Sequence, residues 1–442
     1  MMPKFLLALM VAALVLTAAH AEDTAAPALT IPAGAQAGPG FDVERATESW
    51  VGTLSAEQRA KSDAYFEGGY VLQVVDLLYG LGVAALFLLT PLSRRMRALA
   101  ERLAKGAFLR SGLYAIQYFF LAALFAFPLS FYEGFHREHA YGMANNSFGS
   151  WMGDEAKSLM VTLVFGSLFV ALLYLIFRKA PRTWWVWGAV ATVAFTAFGA
   201  MIAPVYLAPM FNTYKSVPAG PVRERILSLA RANGIPADDV YWFDASRQTK
   251  RISANVSGLM STTRMSLNDN LMNRSPGESI QAVLGHEMGH YVLNHVYKML
   301  LAMGVIALAG FAFLSFAFDR IVARHGAGWG ISGIADPGGM PLLLAIVSIW
   351  FFLLTPVTNT LVRTQEVEAD IFGLNASRQP DGFANVAMQL SEYRKIHPGT
   401  WEEIVFFDHP SGWNRVHMAM AWKKENGNSP QGQVTNSVLA AP

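Results

Sequence analysis

The 442-residue sequence predicts a mainly α-helical, polytopic membrane protein carrying one small α+β domain. Three observations lead there: too little charge to cover a water-exposed surface, apolar stretches of membrane-spanning length, and one large polar insert between them. Hydrophobic residues make up 53% of the chain and charged residues only 15%, against about 25% charged in soluble domains. Mean hydropathy is positive, at +0.30. This composition excludes a disordered or fibrous protein. There is no cysteine, which excludes disulfides, cysteine-ligated zinc, iron–sulfur clusters and a cysteine nucleophile. The net charge of +2 gives no indication of a nucleic-acid partner.

At the N-terminus Lys4 precedes an apolar run from Phe5 to Leu16, followed by Ala19-His20-Ala21 as an A-x-A cleavage pattern. Residues 1–21 therefore read as an export signal, with an uncleaved first membrane helix as the other reading. Spanning-length stretches follow near Val71–Leu92, Leu109–Phe131, Leu159–Phe177, Trp184–Ala203, Leu300–Phe318 and Pro341–Leu361. Trp184, Trp185 and Trp187 suit an interfacial aromatic belt.

Basic residues fix the expected orientation. Arg94, Arg95, Arg97, Arg102, Lys105 and Arg110 lie between the first two stretches, Arg178, Lys179 and Arg182 between the third and fourth, and Arg320 and Arg324 after the fifth. The positive-inside rule makes these loops cytoplasmic. The polar regions then fall on the opposite face, as an exported N-terminus also requires. A bacterial inner-membrane protein with its polar domain in the periplasm is the simplest context.

The resulting organisation is a signal or first helix (1–21), an extracytoplasmic segment (22–69), four membrane helices (70–203), a polar domain (204–299), two further membrane helices (300–362), a second polar part (363–424) and a disordered tail (425–442). Within the polar domain, Val222, Ile226 and Leu229 line one face of a helix at 221–233, stopped by Asn233-Gly234 with Pro236 beyond. Strand-like runs follow at Val240–Phe243, Ile252–Gly258 and Arg264–Leu267. Ser275-Pro-Gly-Glu278 reads as a capping box opening a long helix.

That helix carries His286-Glu287-Met288-Gly289-His290. At about 100° per residue, the two histidines project from one face a turn apart, where both imidazoles reach one Zn²⁺ per chain. Glu287 lies beside them as the base for a water acidified by the metal. His295, nine residues from His286, points about 180° away on a straight helix and reads as structural. A catalytic zinc needs a third protein ligand. Two membrane crossings after the motif return the chain to the same side at Arg363-Thr-Gln-Glu366-Val-Glu368-Ala369-Asp370. Glu366 and Asp370 share a helical face, whereas Glu368 points elsewhere. Glu366 is therefore expected to bind the metal and Asp370 to orient a ligating imidazole; a solvated acidic turn is the competing reading.

With these motifs on the page, the sequence resembles the type I CAAX prenyl proteases, integral-membrane zinc metallopeptidases, in the manner of a bacterial member. The resemblance runs from about residue 45 to 423 and includes Pro128–Tyr132 leading to Glu138–Gly142, Pro204–Asn212, Leu284–His295, and His409-Pro410 with Arg415. It implies a helical membrane barrel around an internal chamber, closed by a zincin-like peptidase domain. It also implies that His286, His290 and Glu366 bind zinc, that Glu287 is the general base, and that His409 and Arg415 line the cleft and stabilise the tetrahedral intermediate. Two departures stand out. Ser253-Ala254 occupies the place of the usual Asn-Ala in the substrate strand, Ser253, Ala254 and Asn255. The export-like run stands where the first of seven helices would be, which would invert the eukaryotic orientation.

The expected activity is zinc-dependent endoproteolysis of peptides, unfolded proteins or membrane-associated proteins, in contact with membrane lipid. A catalytically idle zinc-stabilised scaffold or chaperone is one alternative, but it has no need of Glu287. A site-2-type intramembrane protease is another, but its motif lies inside a spanning helix. A transporter would show paired charges or repeats within its spans. No oligomeric state is implied, and a monomer is compatible with the sequence.

Overall fold

The computed structural model describes residues 27–257 and 264–427; the export-like run, Gly258 and the tail beyond 427 lie outside them. Six helices among the described residues are long and apolar enough to cross a membrane. They are α1 (Ala56–Leu89), α2 (Ala107–Ala140), α3 (Phe148–Lys179), α4 (Trp184–Phe211), and two more after the peptidase-like insert. Five of the expected stretches each fall within one of them; the first, expected at Val71–Leu92, stops at Leu89, because Thr90 closes the helix and Pro91 caps the next, which starts at Leu92. Their outward faces carry bare Leu78, Leu89, Leu301, Val305 and Leu353, as lipid-facing helices must. The chain is an integral multi-pass membrane protein.

The spans are packed together at the arginine-rich end. There Phe87, Tyr114, Tyr174, Phe177, Trp184, Phe318 and Leu343 form one continuous core. Arg97 reaches Asp336 at 2.5 Å and the Gly330 carbonyl at 2.9 Å. Toward the other end, α1, α2 and α3 diverge around a cavity of about 720 Å³ lined by Asp76, Glu133, Arg137, Glu155, Gln248 and Arg251.

The insert between α4 and the fifth span folds as predicted, with one strand more. α5 (Pro221–Ala232) ends at Asn233, and Gly234 adopts φ +70°, the left-handed conformation that makes glycine the natural stop. The sheet has four strands: β1 (Tyr214–Ser216), β2 (Val240–Phe243), β3 (Ala254–Ser257) and β4 (Arg264–Asn268), in the order β1-β2-β4-β3. β1 was too short, and too polar at Lys215 and Ser216, to register as an apolar alternation. The β2–β4 pair is parallel and the outer pairs antiparallel.

The motif helix α6 (Gly277–Val292) begins differently from the expected capping box. Pro276 is its N-cap, without a side-chain cap. The buried Ser275 hydroxyl instead donates to Gln389 Oε1 at 2.8 Å, because α9 (Pro380–Leu390) packs over this end. α7 (His295–Trp329) and α8 (Met340–Ser377) are the last two spans. α8 is a single 38-residue helix. It carries the 366–370 segment rigidly out of its membrane portion.

α6 and α8 touch through backbone. A Cβ on Gly373 would lie 2.7 Å from the His286 nitrogen, and one on Gly289 would lie 3.1 Å from the Ala369 Cα. Gly285 faces the Gly373 carbonyl at 3.0 Å in the same sense. Small residues at this seam let the helices approach closely enough for short side chains on each to meet. Gly373→Ala is expected to cost about 1–3 kcal/mol by overpacking, read as a lower thermal midpoint in detergent. Gly153→Ala, where a Cβ meets nothing within 4 Å, should leave that midpoint unchanged or slightly raised.

Candidate active site

The seam delivers one cluster of metal-ligand type among the described residues: His286, His290 and Glu366, whose donor atoms all lie within 4.8 Å of one another. His286 Nε2 and His290 Nε2 are 3.2 Å apart. Glu366 Oε2 lies 3.3 Å from the first, and Oε1 lies 3.4 Å from the second. His286 and Glu366 are buried and His290 half-buried.

The donor chemistry fits a divalent cation. His286 Nδ1 is 2.7 Å from Asp370 Oδ1. A carboxylate only accepts, so Nδ1 carries the hydrogen and Nε2 of the neutral ring is a bare lone pair. Glu366 Oε2 is buried without a hydrogen-bond donor. Bare nitrogen and carboxylate oxygen converging in a dry site are favourable only around a positive charge. The same surplus of negative charge appears in proton affinity: burial alone would lower His286, but Asp370 and Glu366 carry it up to about 10, and Nε2 is a lone pair where a cation takes the place of that second proton. Burial also pushes the Glu287 carboxyl above its usual range, against the lowering pull of the two imidazoles, a direction that suits a proton acceptor.

Asp370 is fully buried and makes two pairings. Arg415 Nε donates to its Oδ2 at 2.9 Å, and Arg415 Nη2 also donates to its Oδ1. Burial would lower the Arg415 guanidinium, and Asp370 more than offsets that. Arg415 does line the cleft, but the structure shows it anchoring the carboxylate that orients His286. His409 sits at the metal cluster, with Nε2 3.2 Å from Glu366 Oε2 and Nδ1 2.8 Å from Asp408 Oδ1.

A cavity of about 360 Å³ opens beside the cluster, lined by Ser253, Ala254, Glu287, Glu366, His409 and Arg415 together with apolar Phe383, Val386 and Leu390. β3 forms its edge and is the outermost strand of the sheet. Asn268 N donates to Ser253 O at 2.9 Å across to β4. In antiparallel alternation the main-chain groups of Ala254 and Val256 then point away from β4, and the Val256 amide reaches Glu287. Asn255 faces a separate pocket with Tyr214, Arg264 and Ser266, because successive strand residues point to opposite faces. Of the three expected substrate-strand residues, Ser253 and Ala254 reach the cleft and Asn255 does not.

Arg251 and Asp408 were not singled out by sequence, and His295 and Glu368 were read as pointing away from the site. Arg251 lines both this cavity and the one among the spans, held by Glu138 at 2.8 Å and the Tyr65 hydroxyl at 2.6 Å. Asp408 supports His409. His295, expected to face away, has Nδ1 2.8 Å from His290 Nδ1, and Glu368 lies 3.0 Å from its Nε2. The straight-helix angle failed because α6 ends at Val292 and Asn294 turns the chain at φ +58°. Asn's tolerance of that conformation was the available signal.

Comparison with known proteins gives a consistent picture. The CAAX prenyl protease N-terminal profile, five membrane helices, matches residues 43–213, and the peptidase family M48 profile matches residues 216–423. An uncharacterized metalloprotease, YhfN, of Bacillus subtilis is 28% identical over 341 residues, 77% of this chain and 79% of the relative. CAAX prenyl protease 1 of Saccharomyces cerevisiae is 28% identical over 325 residues, 66% of this chain and 70% of that protein. The crystal structure of S. mikatae Ste24p matches with a TM-score of 0.69 at 22% identity, covering 83% of this chain and 89% of that one. The fold is thus a helical membrane chamber with a metallopeptidase domain.

Asp370→Asn is expected to cost about 3–5 kcal/mol, because it leaves the buried Arg415 guanidinium without its counter-charge. A large fall in the thermal midpoint of the purified protein would show this. Asp370→Asn together with Arg415→Met should recover part of the loss.

Proposed function

As the chain belongs to peptidase family M48 and is a membrane metalloprotease, we propose that it is a zinc endopeptidase cleaving extended peptides or unfolded segments that enter its chamber. The carrying observation is the convergence of His286 Nε2, His290 Nε2 and Glu366 on one point beside Glu287. These three residues would hold the zinc. When bound, a zinc ion supplies Lewis-acid polarisation of the scissile carbonyl and lowers the pKa of a water to about 7.

The chain's own residues supply the rest. β3 offers the outward-pointing main-chain groups of Ala254 and the Val256 carbonyl to an extended peptide by strand addition. Glu287, its proton affinity raised by its enclosure, takes a proton from the attacking water and passes it to the leaving amine. His409, whose Nδ1 donates to Asp408, can donate from Nε2 toward the oxygen that gains charge in the transition state only in its imidazolium form. Arg415 acts through Asp370, and its guanidinium edge closes the cleft. The apolar wall at Phe383, Val386 and Leu390 accommodates an apolar substrate side chain. A CAAX motif is one such substrate, and the yeast relative's name points the same way; the sidedness argues for others.

The basic loops favour cytoplasmic arginine-rich ends and a periplasmic peptidase part in a bacterial inner membrane. Among the alternatives, a metal-stabilised scaffold does not explain a base poised beside the ligands.

Glu287→Gln should lower kcat for peptide cleavage at least about a hundredfold while zinc content stays at one per chain. A chelator should abolish cleavage and added Zn²⁺ restore it. Cleavage that persists through both treatments would refute the mechanism. A phosphatase fused after Glu425 should be active in cells; an inactive fusion with an active fusion after Arg95 would reverse the topology.

A further inference from the structure

The proposed reaction leaves one chain of side chains, running from the cluster through buried His295 to the surface, without a role. His290 Nδ1 is 2.8 Å from His295 Nδ1, His295 Nε2 is 3.0 Å from Glu368 Oε2, and Lys298 Nζ is 2.7 Å from the same oxygen. His295 is 3% exposed, so water does not complete its hydrogen bonds. We infer that Glu368, acting through His295, is a positioning residue that fixes the tautomer and ring orientation of His290. The inference rests on His290 being a metal ligand, as proposed above.

Each contact dictates the next. Lys298 pairs with Glu368, which keeps the carboxylate an acceptor. His295 Nε2 therefore carries the hydrogen in that contact, and Nδ1 of the neutral ring is left bare. A bare Nδ1 only accepts, so His290 Nδ1 must be the donor across the 2.8 Å gap. His290 then has its single hydrogen on Nδ1, and Nε2 presents a lone pair 3.4 Å from Glu366 Oε1 and 3.2 Å from His286 Nε2. His286 reaches the same state in one step through Asp370, whereas His290 needs two.

Geometry explains the extra link. Asp370 is on the face of α8 that meets His286 across the glycine seam. His290 is one turn further along α6, and no α8 carboxylate reaches its Nδ1 directly. The left-handed turn at Asn294 sets His295 into that gap at the start of α7. Glu368 lies two residues from Glu366, so α8 provides the third donor and also anchors the second imidazole. Carboxylate–histidine support of this kind is worth about 10–100-fold in metal affinity elsewhere.

The test uses the purified full chain in detergent, wild type beside Glu368→Ala, Glu368→Gln, His295→Phe, Glu368→Ala/His295→Phe and His290→Ala. Zn²⁺ affinity is measured by competition with a chromophoric chelator, next to the melting of the metal-free proteins and peptide kinetics. Glu368 is half-exposed on its side chain, so its variants should fold even if His295→Phe does not. Expected are a zinc Kd raised about 10–100-fold in Glu368→Ala, an unchanged KM, and substantial recovery in Glu368→Gln, whose amide oxygen still accepts from His295. The double variant should bind no more weakly than His295→Phe. Wild-type zinc affinity in Glu368→Ala, or losses that add in the double variant, would overturn the relay. Wild-type affinity in His290→Ala would overturn the ligand set itself, a failure distinguishable from that of the relay.

Discussion

Everything at the centre of this molecule depends on two helices meeting backbone to backbone. Gly285 and Gly289 on one helix face Ala369 and Gly373 on the other, with no room for larger side chains. Helices separated by Leu or Phe lie about 8–10 Å apart, too far for a short aspartate to bond a histidine on its neighbour. At this seam Asp370 reaches His286 at 2.7 Å, and Glu366 comes within range of two imidazoles. The stretch of α8 that carries these carboxylates is the continuation of a membrane span, so the stiffness of that helix transmits to the site.

Charge is the second constraint. A site with two buried carboxylates and a half-enclosed third is costly unless cations answer them. Arg415 answers Asp370, and a divalent metal held with the adjacent imidazoles would answer Glu366. Lys298 and His295 answer Glu368 at the margin. The result is a set of acceptors that directs the Nε2 atoms of the His286 and His290 imidazoles at one point, where a cation would be held. Burial thereby becomes an instrument for selecting tautomers.

The membrane part serves the same end. Its helices are tightly packed at the arginine-rich end and diverge toward the peptidase domain, leaving the larger cavity next to the catalytic cleft. Arg251 stands between the two, tied to Tyr65 and Glu138 of the spans. An edge strand beside such an enclosure would admit extended chain and exclude folded protein, as proposed above. This is the physical basis for assigning flexible substrates.

The sequence by itself determined the class of protein, the six spans among the described residues, the helix stop at Asn233-Gly234, the paired histidines and the grouping of Glu366 with Asp370. Each of these is a local matter, of apolar length, turn chemistry or a 3.6-residue period, and local signals survive without knowledge of neighbours. Only the tertiary structure decided that Arg415 grips Asp370, that Asn255 turns from the cleft, that Ser275 bonds Gln389 in place of a capping box, and that His295 supports His290. These depend on which surfaces meet and on where a helix breaks. A single left-handed residue at Asn294 was enough to redirect His295 from the far face to the site, and no periodicity extends across such a break.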